Sequence, residues 1–512
     1  MPVDQEHAEP QHAHLTEATP ADFKQKGLKK DVVGLPGSVT LAVASTAPAF
    51  SLAVTVGFLA IAVGTQAPAV LLVAFVPMIF VAIAYRELNR VMPDAGTSFT
   101  WGTKAFGPWI GWLGGWGLAA TGIIFVANAA DVVGNYTVTL FNHPELENNR
   151  LVIASIGVAF IILLTWITYR GLEGSTKLQY FLVGLQFVVL IAIAVAGFWA
   201  FSKGNGLEGS SAFQWSWLNP LKIDGWGPFA EGFLLAVFIY WGFDTALSVN
   251  EETSNSTKTP GRAAVIATVL LVAIYLIVTI SMVSYAGIQD AGMGSEDNAN
   301  DIFSVVAQPL FGPWGTPVVV LTVLLSTAAS LQTTIMPTTR SALAMAVYKA
   351  APKKLATISP KFLTPSFATV LMGTVGAVFY VGLKFLSNDI LQDTILSIGL
   401  GICLYYGVTA FSCVWWFRKE AFTSVHRFFF MFLFPLLGGL ILAAAFVKSA
   451  IDMWDPAYGT TSLGNVGGVF IMGVGSLLVG VVLMIAYSFK APAFFRGKTL
   501  HKDTPILVPD EV

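Results

Sequence analysis

The sequence predicts an all-α polytopic membrane protein of about 12 transmembrane helices, and three observations carry that prediction. Hydrophobic residues make up 55% of the chain and charged residues 11%, where an ordinary soluble domain is about a quarter charged. The apolar residues gather in runs of about 20 or more, the length that crosses a hydrocarbon core. When the runs are threaded alternately through a bilayer, 23 of the 28 Lys and Arg fall on one side, as the positive-inside rule requires. The runs are far longer than barrel strands, and a lone strand in lipid leaves its backbone unpaired, so a barrel is excluded.

In order, the expected spans are Gly34–Val63, Ala67–Tyr85, Trp109–Phe141, Leu151–Tyr169, Leu178–Phe201 and Gly227–Val249, then Ala263–Ala286, Thr316–Tyr348, Pro365–Leu386, Ile390–Phe417, Phe428–Val447 and Val466–Ser488. Only Arg150, Lys203, Lys222, Lys384 and Lys448 fall outside when the N-terminus is cytoplasmic. That asymmetry demands an even span count with both termini inside a cell membrane. The organisation that follows is a disordered cytoplasmic tail over 1–26, a core of two repeats over 27–417, two further spans over 418–489 and a cytoplasmic tail over 490–512.

The remaining composition excludes several function classes. Net charge is −2, so no basic field exists to hold nucleic acid. Cys403 and Cys413 are about three helical turns apart and cannot pair within one helix. Residues 1–26 lack the apolar core of a secretory signal. No glycine-rich phosphate loop and no His or Cys cluster occurs, so neither a cofactor nor a metal is expected, nor an enzyme or an ATP-driven pump. His7, His12 and His14 read as a polar tail.

Two spans carry breaks in matching places. Span one reads Ser45-Thr46-Ala47-Pro48-Ala49 near its middle, where Pro48 removes a backbone donor and clashes with the preceding turn. Span six reads Tyr240-Trp241-Gly242-Phe243-Asp244, a glycine between aromatics with a carboxylate at mid-membrane depth. Irregular backbone in lipid is tolerated where it lines a cavity, so two breaks five spans apart indicate an inverted five-plus-five repeat around a central site. The half-helix N-termini would face an anionic group and the C-termini an ammonium, as an α-amino acid zwitterion presents.

Several stretches resemble the amino acid-polyamine-organocation superfamily of permeases. Tyr240 to Asp244, followed by Glu251-Glu252 and Pro260-Gly261-Arg262-Ala263, is similar to that family's sixth span and its exit. Met92-Pro93-Asp94-Ala95-Gly96-Thr97 resembles the loop after span two, with Thr97 in place of a second glycine; Tyr169-Arg170-Gly171 resembles the end of span four, and Thr339 to Ala346 the exit of span eight. The resemblance implies a LeuT-type fold and alternating access. It implies an amino acid held at the midplane, or a polyamine or other organic amine, with a permease-fold sensor as a further reading; the tails are too short for a signalling domain. The coupling partner is expected to be H+ or Na+. Where proton-coupled members carry a span-five lysine, this chain has Gln186, which cannot exchange a proton at neutral pH. Coupling would then rest on another acid such as Asp131, or on a cation near Ser326, Thr327 and Ser330.

The expected substrate contacts are Ser45, Thr46, Ala47, Ala49, Asn128, Asp131, Tyr240, Trp241, Gly242 and Phe243. Asp131 could take an ammonium or carry a proton, or be a hydrated carboxylate bonded to a neighbouring span. Trp241 and Phe243 could form an aromatic lid or simply pack. Pro48 and Asp244 are structural candidates, Asp244 by capping the inner half of span six. Glu251 and Glu252 are gate or scaffold residues expected to pair with Arg262, Arg90 or Lys104. The hydroxyls of span eight could serve a cation or bond back to their own helix.

Overall fold

A computed structural model describes residues 26–146, 149–171, 173–387 and 389–505. The expectations for residues 1–25 and 506–512, including His7, His12 and His14, lie outside the described residues. Among those described, 11 helices are long and apolar enough to cross a membrane. The expected sixth span falls short of that length because it is split into Trp226–Tyr240 and Thr245–Ser248.

Span one is broken where its sequence requires. Leu35–Thr46 ends at Ala47, which is left-handed at φ 45 and ψ 67, and Pro48–Ala53 restarts beyond it. Proline supplies a ready first helical turn but pushes the residue before it out of the α basin, and Ala47 takes up that change at a cost of about 1 kcal/mol. A second interruption at Val54 and Thr55, before Val56–Val63, has no signal in the sequence. In span six Trp241 is extended and Gly242 has φ 123. The two breaks touch: a Cβ on Gly242 would sit 2.7 Å from the carbonyl carbon of Ser45. Glycine is required there twice, for the dihedral and for the approach of the two backbones.

The other spans are Ala67–Val91 (two), Pro108–Leu140 (three), Arg150–Tyr169 (four), Glu173–Ser202 (five), Thr259–Ala286 (seven) and Gly315–Val347 (eight), then Ser366–Leu386 (nine), Ile390–Phe417 (ten), Phe434–Asp452 (eleven) and Gly468–Lys490 (twelve). Span two packs on seven, three on eight and four on nine, each against its counterpart five places on. Pairs of this kind map onto themselves under a twofold axis in the membrane plane, the arrangement expected of inverted repeats. Spans eleven and twelve, joined by a hairpin of Ser462–Leu463 and Val466–Gly467, lie against span ten.

Two segments differ from expectation. The connection after span two contains a buried helix, Ser98–Phe106, which follows the glycine turn and lies between spans three and ten. Residues 490–505, expected as part of a polar cytoplasmic tail, pack instead on the same face as Lys26. A short helix, Pro492–Phe495, buries Phe494 and Phe495, and with Leu500 they fill an apolar pocket made by Phe99, Trp112 and Tyr348. Lys104 Nζ donates to the carbonyls of Lys502 and Thr504, and Thr499 Oγ1 to that of Tyr348 (2.7 Å). The aromatic pair supplies the apolar area that a polar tail lacks.

Gly242→Ala is expected to lower the melting temperature in detergent by several degrees or abolish folding, because both dihedral and space forbid the methyl group. Ala47→Gly should be nearly neutral, since relief of about 1 kcal/mol of left-handed strain is offset by a similar loss of chain stiffness.

Candidate functional site

The crossing of the two breaks organises the middle of the bundle. Thr245 Oγ1 donates to Ser45 Oγ (2.8 Å), joining span six to span one. The carbonyls freed at the break in span one are taken by hydroxyls: Ser330 Oγ donates to Ser45 O (2.7 Å) and Ser51 Oγ to Thr46 O (2.6 Å). Beyond the break, Pro48 has no N–H, Phe50 N–H is accepted by Ser326 Oγ (3.1 Å) and Ser51 N–H by Ala47 O (2.8 Å). Among the described residues no acceptor is recorded for Ala49 N–H, which leaves it as the N-terminal donor of this half-helix, at its positive dipole end.

Ser326 Oγ in turn donates to Gln186 Oε1 (2.7 Å), while Gln186 Nε2 is buried without a partner. Gln186 thus ties span five to spans eight and one as a neutral link. Thr327 bonds back to Val323 O (2.8 Å) in its own helix, so of the expected cation hydroxyls only Ser326 and Ser330 reach across to other spans.

The aromatic residues of span six divide at Gly242. Trp241 faces span three, edge-on to Phe125 at 5.3 Å, in a cluster completed by Phe50 and Phe238. Phe243 points the other way, between Tyr85 and Tyr406, and packs rather than covering the break. Tyr240, expected at the substrate, instead donates to Leu71 O of span two (3.2 Å) and lies against Tyr275. Asp244 does not cap the inner half-helix with its side chain. Its oxygens accept from Tyr406 (2.9 Å) and Tyr405 (3.2 Å) of span ten, and Tyr405 in turn accepts from Trp241 Nε1. Asp244 is buried and no cation pairs with it among the described residues. Tyr405 and Tyr406 thus reach the break in span six although no expectation from the sequence includes them; consecutive phenols in a membrane span are the signal that points to them.

Above this centre, away from the face that carries the chain ends, Asn128 donates to Thr394 Oγ1 (2.8 Å). Asp131 accepts from Lys384 Nζ (2.6 Å), Asn135 Nδ2 (3.0 Å) and Tyr380 OH (3.4 Å), so it is bonded to span nine. It lines a cavity of about 400 Å³ together with Lys384, Arg150, Asp301 and Asp389. Two cations and three carboxylates leave that vestibule near charge balance.

The face of the chain ends is closed by buried ions. Lys26, expected in a free tail, is fully buried and joins Asp94 (2.8 Å) to Glu251 (2.6 Å), with Tyr348 OH donating to Asp94 (3.0 Å). Arg340 holds Glu252 through both Nε and Nη2, a bidentate pair of the strong kind. The partners expected for these glutamates are occupied elsewhere or apart: Arg90 pairs with Glu87 (3.2 Å), Lys104 holds the C-terminal carbonyls, and Arg262 is exposed. The sequence could not foresee Lys26 and Arg340, because both partners come from segments distant in the chain. Burial alone would lower the Lys26 ammonium, but the two carboxylates outweigh it and hold it above its ordinary value. Burial would raise Asp94; Lys26, Thr100 and the Gly96 N–H hold it below.

Paired discontinuous spans, self-mapping repeats and opposite faces of unequal closure define a membrane transporter of the LeuT type. The solved structure of MhsT in complex with L-phenylalanine shares this fold, with TM-score 0.62 and 17% identity over 82% of this chain and 99% of that one. The amino acid permease family model matches residues 37–463, and the chain belongs to that family, within the amino acid-polyamine-organocation superfamily. Among its relatives, the branched-chain amino acid permease BcaP of Bacillus subtilis is 24% identical over 60% of this chain and 65% of its own length. The low-affinity putrescine importer PlaP of Escherichia coli is 22% identical over 73% and 79%. An uncharacterized transporter of Mycobacterium tuberculosis is 25% identical over 64% and 67%.

Lys26→Ala strands Asp94 and Glu251 in a buried site and is expected to cost about 3–5 kcal/mol. The sign of the pH dependence follows. The raised Lys26 contributes stability below its ordinary value, lost as pH rises through the folded one; the lowered Asp94 contributes above its ordinary value, lost as pH falls through the folded one. Between roughly pH 5 and 9 both Lys26 and Asp94 are charged, so their pair contributes in full there, while Glu251, raised by burial, opposes it towards the acid end. The variant should recover stability on acidification, as its unpaired carboxylates take up protons. A variant that melts like the parent at every pH would show that the cluster carries no stability.

Proposed function

We propose that the protein is a secondary active permease that carries an apolar amino acid across the cell membrane by alternating access around Ala47 and Gly242. The observation that carries this reading is the crossing itself. A free Ala49 N–H at a half-helix N-terminus suits a carboxylate, and the C-terminal end of Trp226–Tyr240 suits an ammonium. The cluster of Phe50, Phe125, Phe238 and Trp241 beside it offers an apolar wall for the side chain.

The relatives named for branched-chain amino acids support an apolar substrate. The putrescine importer among the relatives keeps the polyamine reading alive, but a dication needs free carboxylates. Asp131 is taken by Lys384 and Asp244 by two phenols, which favours a zwitterion. The face of the chain ends is cytoplasmic in this reading, since threading the sequence through a bilayer puts 23 of its 28 Lys and Arg on that side. The buried ion cluster then closes the inside while the vestibule lies on the outer path.

Gln186 leaves the span-five position unable to move a proton, and the break carbonyls are already held by hydroxyls. Asp244 is the remaining acid at the crossing, buried without a cation, and it is the coupling group in this proposal: protonated with substrate outside and released inside.

Uptake of labelled leucine, phenylalanine, lysine and putrescine into proteoliposomes tests the reading. Accumulation of an apolar amino acid under an inward proton gradient is expected, and no accumulation of any of the four under proton or sodium gradients would overturn it. Asp244→Asn should retain exchange of internal for external amino acid while losing at least tenfold of gradient-driven accumulation. Undiminished accumulation by that variant would remove Asp244 from the coupling step.

A further inference from the structure

A separate cavity of about 610 Å³ opens on the outside of the bundle between spans four and nine, far from the crossing. Val158, Ile161, Ile162 and Trp166 of span four and Val370 and Val378 of span nine form its walls. Gly373 forms part of the floor, where Thr165 leaves no room for a side chain. From Val158 to Tyr169 the groove follows span four for about 16 Å. That is roughly half of a 30 Å hydrocarbon core, so the groove occupies one leaflet and stops near the midplane.

Its end at the face of the chain ends is basic. The Arg170 guanidinium lies 3.9 Å over the ring of Trp166, which lines the groove. Lys361 Nζ lies 5.3 Å over Phe362, whose ring is 5.8 Å from that of Tyr169, also a lining residue. Both cations are exposed, and neither pairs with a carboxylate among the described residues. Any bilayer chain could fill the apolar part; what singles out an occupant is the charge at the mouth. A helix of a second copy would cross both leaflets and would gain nothing from two cations at one end.

We propose that this groove binds one anionic phospholipid of the leaflet on the face of the chain ends. Its acyl chain lies against Ile162 and Val378 and its phosphate between Arg170 and Lys361. The aromatic rings beneath the cations shield them from bulk water on one side, which holds them at headgroup depth. Attraction to an anionic lipid is additive over nearby cations. The double loss should therefore be felt more strongly than either single one.

Native mass spectrometry of the full chain, released from nanodiscs of phosphatidylcholine and phosphatidylglycerol, tests the proposal. One retained phosphatidylglycerol per protein is expected, in preference to phosphatidylcholine. Arg170→Ala and Lys361→Ala should each reduce that preference about fivefold and the double variant about 30-fold. Lys490→Ala, an equal charge loss on the same face, should leave it unchanged. Ala377 of span nine also lines the groove; Ala377→Phe should displace the lipid with both cations intact, and thermal melts establish that each variant is folded. Equal retention of the two lipids by the parent protein, an effect of Lys490→Ala equal to that of the double variant, or a dimer cross-linked through Ala377→Cys would each overturn the proposal.

Discussion

A backbone in hydrocarbon has no water to fall back on, so each peptide group that a helix break releases must find a partner inside the protein. The structure turns on how the breaks at Ala47 and Gly242 meet this demand. They are laid across one another, Gly242 against Ser45, and the released carbonyls of span one are closed by Ser330 and Ser51. Spans five, eight and ten are fixed around the crossing because they supply the groups that complete it: Gln186, Ser326 and Ser330 on one side, Tyr405 and Tyr406 on the other. Beyond the unpaired Gln186 amide nitrogen, two demands stay open among the described residues: an N–H at Ala49 and a carboxylate at Asp244 that no cation meets. Those two residual demands are where an ammonium carboxylate and a proton would be recognised.

The two faces of the protein close by different chemistry. On the face of the chain ends, fully desolvated pairs interlock Lys26, Asp94, Glu251, Glu252 and Arg340, and the C-terminal segment backs them through Tyr348 and Lys104. Pairs of this kind contribute little net stability but are costly to break singly, so losing one member of the cluster costs more than losing a matched pair. On the opposite face, Asp131 and Lys384 meet at the edge of a cavity and keep some exposure, where rearrangement costs less. The asymmetry fits a carrier caught with the face of the chain ends shut.

The fold was largely legible from the sequence because the bilayer imposes a length on each span and a sidedness on each loop. Pro48 and Gly242 announced the breaks, since each forbids a continuous helix for its own local reason. The site was legible only in part. Local chemistry located the backbone of the crossing, but the direction of each neighbouring side chain depends on packing across segments 150 or more residues apart, as between Tyr406 and Asp244. For that reason the sequence pattern directs Tyr240 and Phe243 to the substrate, whereas packing turns them to spans two, seven and ten. For the same reason Glu251 and Glu252 were matched to nearby loop cations. The C-terminal segment misled through its charge: seen along the chain it is polar, yet Phe494, Phe495 and Leu500 together suffice to dock it.

The central claim is that the crossing of the two breaks is where an apolar amino acid is held. An experimental structure determined with saturating L-leucine tests it most directly. Density is expected at the crossing, with the carboxylate within hydrogen-bond distance of Ala49 N–H and the side chain against Phe125 and Trp241. Density confined to the vestibule beside Asp131 and Arg150, with the crossing closed as it is here, would contradict it.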